Sequence, residues 1–257
     1  MVESIIDTTM RTLSCSDINH CERTMKLLTF ISFKGGAGKT TALMAIASCL
    51  LNRGKKIAIF EADDNRPISQ WRDYARTKET WDENCEVITA DTLEDFEAGY
   101  GKAEQGGYEI ALVDSQGGGS ELNDTILINS DFVVLPTALT VLDTDETIET
   151  FKYVVSRLAD EGGDMNVAIL KTRVPTGKLT KAQTRTSELL DELPIFTSVL
   201  HNRNAFEDMK FRGLLHQTAE KLEQNPADKL LAGNFHTAIK EADTLAVDLL
   251  DALQGEN

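Results

Sequence analysis

The run Lys34-Gly35-Gly36-Ala37-Gly38-Lys39-Thr40-Thr41 limits the folds open to this chain more than any other feature. It stands between an apolar run, Lys26–Phe33, and a helical stretch, Thr40–Arg53, which Gly54 is placed to stop. Small residues at such a junction let the backbone curl so that its amides point at phosphate oxygens. The helix N-terminus adds positive potential. In that strand–loop–helix context the eight residues read as a nucleotide cradle. Lys39 is placed to reach the β- and γ-phosphates of ATP, and the Thr40 hydroxyl to ligate Mg²⁺. The pattern departs from the commonest phosphate loop in two ways. Phe33 stands where a glycine five residues before Gly38 is usual, and Lys34 precedes the double glycine.

Apolar runs and helical stretches continue to alternate. Strands are predicted at Lys26–Phe33, Lys56–Phe60, Glu86–Ala90, Tyr108–Asp114, Asp131–Leu135 (ended by Pro136), Asn166–Lys171 and Ile195–Leu200. Helices are predicted at Thr40–Arg53, Pro67–Arg76, from an Asp91 or Thr92 cap to about Glu104, Thr144–Leu158 and Thr180–Leu193, with two or three more at the end. Near-continuous apolar strands imply a sheet covered on both faces. The expectation is a doubly wound α/β fold, with a mostly parallel sheet of about seven to eight strands and helices on both sides. No repeat or linker interrupts residues 25–257, which read as one domain. Residues 1–24 are polar and aperiodic. They read either as a disordered tail or as a stretch upstream of a natural start at Met25.

Composition removes several classes. The net charge is -16 over 257 residues, so coating nucleic acid with the whole surface is excluded. No apolar run approaches the roughly 18–20 residues that span a bilayer. Four cysteines without a CxxC make neither a disulfide scaffold nor a zinc module, and a reducing cytoplasm is the expected compartment. Cys15, His20 and Cys21 are close in sequence but lack a fourth ligand.

The KGGxGKTT pattern closely resembles the deviant phosphate loop of the ParA/MinD family of dimeric ATPases, and the resemblance carries specific implications. Lys34 is the lysine that reaches across an ATP-bound homodimer to the partner's nucleotide. Asp114, ending an apolar strand, holds Mg²⁺ through water. Asp63 in Glu61-Ala62-Asp63 helps to position the attacking water. Glu61 replaces the usual aspartate, which bears on the hydrolysis rate. The catalytic set is therefore Lys34, Lys39 and Asp63. The loop Ser115-Gln116-Gly117-Gly118-Gly119 replaces the family's usual prolines where a γ-phosphate switch is expected.

Residues 171–212 hold eight basic and five acidic side chains, a local excess of basic charge on an acidic chain. Arg173, Lys178, Lys181, Arg185, Arg203, Lys210 and Arg212 are candidate DNA contacts. Lys178, Lys181 and Arg185 share a face if their helix starts early, and Arg203 and Lys210 share another. His201 has no evident catalytic partner and reads as structural. Residues 227–257 carry two basic and six acidic side chains, which disfavours a bilayer anchor.

Several segments (61–71, 81–91, 115–122 and 201–216) resemble the VirC-type ParA-like ATPases of T-DNA transfer. That resemblance implies DNA binding, either nonspecific or at an overdrive-like enhancer. It further implies gathering of a relaxase–DNA complex at the cell pole, a small ribbon-helix-helix partner and a type IV secretion coupling protein. The residues alone leave two other readings open: a plasmid or chromosome partition ATPase, and an ATP-dependent metabolic enzyme of the dethiobiotin-synthetase kind.

Overall fold

The computed structural model describes residues 24–115, 120–160 and 166–254. The expectations for residues 1–23, including Cys15, His20 and Cys21, and for the loop Gln116–Gly119, lie outside the described residues.

Six strands form one parallel sheet: β1 Lys26–Phe30, β2 Ile57–Glu61, β3 Cys85–Thr89, β4 Ile110–Asp114, β5 Phe132–Thr137 and β6 Val167–Lys171. Their order is β3-β2-β4-β1-β5-β6. Nine α-helices are described: α1 Lys39–Asn52, α2 Pro67–Thr77, α3 Leu93–Gln105, α4 Glu121–Ile128, α5 Val141–Asp160, α6 Lys181–Leu190, α7 Asn204–Arg212, α8 Leu215–Glu223 and α9 Lys229–Gln254.

Both faces of β1 are buried, and successive side chains feed different cores. Leu28 and Phe30 join the cluster built on α1, α7, α8 and α9. Leu27 joins the one under α3. Ile31, just past the strand end, joins the one under α5. Every residue of α1 from Ala42 to Leu51 is buried, so the helix that leaves the phosphate loop is clasped on all sides. The helix α3 opens on a capping box, with the Asp95 amide donating to Thr92 Oγ1 and the Asp95 carboxyl accepting from the Thr92 amide.

Three sequence expectations need correction. The predicted seventh strand, Ile195–Leu200, is reduced to isolated bridges at Ile169–Ile195 and Val174–His201. The Ile169 amide donates to the Pro194 carbonyl and the Phe196 amide to the Ile169 carbonyl, but the next bond, from the Leu200 amide to the Lys171 carbonyl, comes only four residues on, so the segment touches β6 at points without laddering along it. Strand β5 does not end at Pro136. Past Val134 the strand pairs only with β6, through Pro136–Leu170 and Thr137–Lys171. One flank is thus free of ladder bonds, and proline's missing amide is tolerated there. Helix α4, capped by Ser120 on the Asn123 amide, was not anticipated, because eight residues carry too little periodicity to register.

The register sets up the site. Asp114 pairs with Phe30 of β1 on one side and with Glu61 of β2 on the other. The carboxyl ends of the three strands therefore finish in one row, where ligands of open α/β sheets bind.

Candidate functional site

The loop from β1 to α1 curls back at Gly36 and Gly38, whose φ angles are 84° and 94°. At Gly38, the N-cap of α1, a Cβ would lie 2.9 Å from Thr172 Oγ1, so glycine is required by conformation and by space. Thr172, one residue past β6, braces the loop. Its hydroxyl lies 2.8 Å from the Ala37 carbonyl and 3.1 Å from the Thr137 carbonyl. Arg173, itself left-handed at φ 54°, donates Nη1 to the Gly36 carbonyl at 2.8 Å. Both loop carbonyls are thus drawn towards the β6 end.

The Thr40 hydroxyl donates to Asp114 Oδ2 at 2.7 Å, joining the first turn of α1 to the end of β4. Asp114 is 1 % exposed, and its Oδ1 has no hydrogen-bond partner among the described residues. Burial pushes the carboxyl up to about 6, with Lys39 and the Thr40 hydroxyl pulling the other way. A buried carboxyl with a spare oxygen, beside a threonine hydroxyl, is a hard-oxygen donor set of the kind Mg²⁺ takes when phosphates complete its shell. No cluster of three or more His, Cys, Asp or Glu side chains that could hold a metal by itself occurs among the described residues.

Lys34 Nζ lies 2.5 Å from Asp143 Oδ1 at the start of α5. Asp143 also accepts the Thr140 hydroxyl at 2.6 Å. Lys34 is therefore held against its own chain.

Glu61 and Asp63 part company. Glu61 is fully buried and accepts from the first turn of α2. Asp63 is half-buried and accepts the Asn65 amide at 2.9 Å and the Asn65 side chain at 3.0 Å. Only Asp63 remains facing open space, bordering a groove that also includes Thr40, Asn65 and Lys210.

Next to the loop is a cleft of ≈ 340 Å³. One wall is Gly36–Ala42 with Thr172 and Arg173; the other is Leu200–Arg203, Phe206, Glu207 and Lys210. The seven candidate DNA contacts therefore divide. Arg173, Arg203 and Lys210 line the cleft. Arg203 is bonded to Glu241 and Lys210 to Glu207. Lys178, Lys181 and Arg185 are exposed, with no side-chain partner among the described residues. Helix α6 starts at Lys181, so Lys178 belongs to the preceding loop and not to the helical face predicted for it; the Thr180 cap on the Gln183 amide fixes that start. Arg212 is half-buried at the end of α7. His201, read from sequence as structural with no evident catalytic partner, has Glu241 Oε1 at 2.9 Å from Nδ1. Thr172, Asp143 and Glu241 were missed by the sequence reading. Of these only Thr172 had a signal, its place at the carboxyl end of a strand.

The family described as VirC1 protein matches residues 25–255. The chain belongs to the VirC1 family. It is 47% identical over 217 residues to protein virC1 of Rhizobium radiobacter, covering 84% of this chain and 94% of that one. It is 44% identical over 230 residues to protein virC1 of Rhizobium rhizogenes, covering 90% and 100%. The fold is that of ParA/MinD-type P-loop NTPases. Among solved structures, Cyanothece McdA in complex with ATP shares it at TM-score 0.59 and 17% identity, over 86% of this chain and 97% of that one. The likeness to the family runs along nearly the whole chain and not only through the phosphate loop. No helix among the described residues is long and apolar enough to cross a membrane.

Proposed function

We propose that this protein is an ATP-switched, homodimer-forming ATPase. It binds DNA and positions a relaxase–DNA complex for T-DNA or conjugative transfer through a type IV secretion system. The observation that carries the reading is the Thr40–Asp114 contact at 2.7 Å behind a loop beginning at Lys34. A phosphate cradle, a buried acid and a second lysine are held together at the carboxyl ends of the central strands.

In this reading residues 34–41 bind the nucleotide. Lys39 neutralises charge on the β- and γ-phosphates, and Lys34 leaves Asp143 to do so on the partner's nucleotide. Thr40 and Asp114 would hold Mg²⁺, Asp114 through water; the ion supplies charge neutralisation at the phosphates. Asp63 orients the attacking water, and turnover is slow and regulatory. Residues 25–257 act as one ATPase domain, without a bilayer anchor, in the cytoplasm and at the cell pole. The remaining partners are a small ribbon-helix-helix protein and the coupling protein.

DNA contact falls to Lys178, Lys181 and Arg185, whose charges are free. Arg173, Arg203 and Lys210 line the cleft beside the loop and contribute only indirectly, and Arg212 is half-buried at the end of α7. The test is DNA retention by the purified protein with ATP, with ADP and without nucleotide, at low and near-physiological salt. Retention that needs ATP and weakens with salt is the expected result. Absence of retention in every state removes DNA from the proposal and leaves an ATPase that recruits proteins.

A further inference from the structure

The turn that carries Asp63 from β2 to α2 is exposed at Asp64 and Asn65, yet it is tied on both flanks. The Arg66 amide donates to the Asp63 carbonyl at 3.0 Å, which closes the turn. Arg66 itself is left-handed at φ 52°, a conformation that a non-glycine residue keeps only when its surroundings enforce it. Its guanidinium supplies that enforcement. Nη1 reaches the Glu61 carbonyl at 3.3 Å, and Nη2 makes a short bond to Asp91, beyond β3. The other flank is tied by Gln70 on α2, whose Nε2 donates to the Asn65 carbonyl at 2.7 Å. Helix α2 in turn is fixed by the buried side chains of Ile68, Trp71 and Ala75.

Within that frame both hydrogen bonds on the Asp63 carboxyl land on one oxygen. Oδ1 accepts the Asn65 amide at 2.9 Å and Asn65 Nδ2 at 3.0 Å. The backbone bond is the usual contact of an aspartate with the residue two positions on. The side-chain bond is an addition that alanine could not make. Oδ2 accepts no hydrogen bond from the described residues. The torsion that turns a carboxyl about its own axis is otherwise broad. Two donors from one residue on one oxygen narrow it, since turning the group would break both bonds. Asp63, Asn65 and Gln70 line the groove together with Thr40, the residue placed to ligate Mg²⁺.

We infer that Asn65 is a positioning residue for hydrolysis: it occupies Oδ1 of Asp63 and so leaves Oδ2, at a fixed angle, to accept the hydrogen bond of the attacking water. Gln70 keeps Asn65 in place from α2. The inference rests on the reading of Asp63 given above and adds to it a residue outside the run Glu61-Ala62-Asp63. Asn65 is exposed, so its bonds contribute little to folding, and their loss is felt at the carboxyl they orient.

The experiment is single-turnover ATP hydrolysis by the full chain with Mg²⁺, paired with calorimetric titration of ATP, on Asn65→Ala, Asp63→Ala and the double variant. Asn65→Ala is expected to slow hydrolysis about tenfold, the worth of one hydrogen bond to a charged group, and to leave the ATP dissociation constant within about twofold. In the Asp63→Ala background, itself slower still, the same change should alter the rate by less than about twofold, because Asn65 then has no carboxyl to orient. Asn65→Ser keeps a donor on a shorter arm and should recover part of the rate. An unchanged rate in Asn65→Ala, a matching loss of ATP affinity, or the full loss repeated on top of Asp63→Ala overturns the inference. If Asn65→Ala does not fold by circular dichroism, Asn65→Ser and Gln70→Ala carry the same comparison. If Asp63→Ala hydrolyses ATP at the parent's rate, the reading of Asp63 fails and the inference with it. If the parent binds ATP without turning it over, the ATPase reading fails as well.

Discussion

The Ile68 amide donates to Glu61 Oε1 at 2.5 Å, joining the end of β2 to the first turn of α2. Ser69 adds its hydroxyl at 2.6 Å and its amide at 3.2 Å, both on Oε2. Pro67 opens the helix and has no amide to satisfy. Arg66, the N-cap, is left-handed and makes no side-chain cap bond. The capping is therefore done from the neighbouring strand, and the extra methylene of glutamate supplies the reach. Glu61 is a helix cap and not a solvated loop acid. The two carboxyls of Glu61-Ala62-Asp63 consequently have different tasks.

Replacing Glu61 with alanine leaves the buried Ile68 amide and the half-buried Ser69 amide without an acceptor and opens a void. Stability should fall by about 2–4 kcal/mol in urea unfolding. Glu61→Asp should cost about 1–2 kcal/mol, since the shorter arm keeps at most part of the cap. A Glu61→Ala protein as stable as the parent would show that the cap contributes nothing.

Asp114 predicts a pH signature in Mg²⁺-free buffer. Its carboxyl is pushed up to about 6 by burial, whereas an unfolded aspartate releases its proton near about pH 4. Between those values the folded state holds the extra proton, so this group's contribution is fullest at low pH and declines as pH rises to 6. Asp114→Asn has no such titration. The stability of the parent relative to that variant should drop by on the order of 2 kcal/mol from pH 4 to pH 7. A pH-independent difference would mean that the carboxyl titrates normally.

Gly38 predicts a site lost without an altered charge. Gly38→Ala forces a side chain onto φ 94° and against Thr172 Oγ1. It should cost about 1–3 kcal/mol and abolish nucleotide binding. Gly38→Ala/Thr172→Ala relieves the contact but not the backbone strain, so binding should stay absent in an equilibrium titration. Recovery in the double variant would assign the requirement to space alone.

The Lys34–Asp143 pair is only partly sheltered, with side-chain exposures of 36% and 13%. Lys34→Ala should therefore change monomer stability by less than about 1 kcal/mol. Sedimentation with ATP should nevertheless show the dimer lost. A dimer that persists would assign Lys34 to the intramolecular pair only.

Neutralising Lys178, Lys181 and Arg185 together should flatten the salt dependence of DNA retention. The logarithmic slope should shrink by up to about 2.7, at roughly 0.9 for each phosphate contact. An unchanged slope would place the DNA elsewhere.

The sequence by itself determined the layered α/β fold, the phosphate loop and the acid that ends β4. Those features are local: an apolar run, a glycine that must take a left-handed turn, a carboxyl at a strand end. Each is written in a few consecutive residues, whereas the strand order, with β4 between β1 and β2, carries Asp114 to the row shared with Phe30 and Glu61. Sequence did not reach the lapse of the seventh strand past Phe196, because whether a segment ladders depends on the neighbour it meets. Nor did it reach the partners of isolated charges. Asp143 is 109 residues from Lys34 and Glu241 is 38 from Arg203. Nothing in either neighbourhood distinguishes those acids from the other forty of the forty-two. Only packing decided which charges face each other: it spent Arg203 and Lys210 on acids at the cleft, and left Lys178, Lys181 and Arg185 free. The roles of Glu61 and Asp63 likewise separate only when α2 folds back on the end of β2, since burial and hydrogen bonding, not residue type, set what a carboxyl can do.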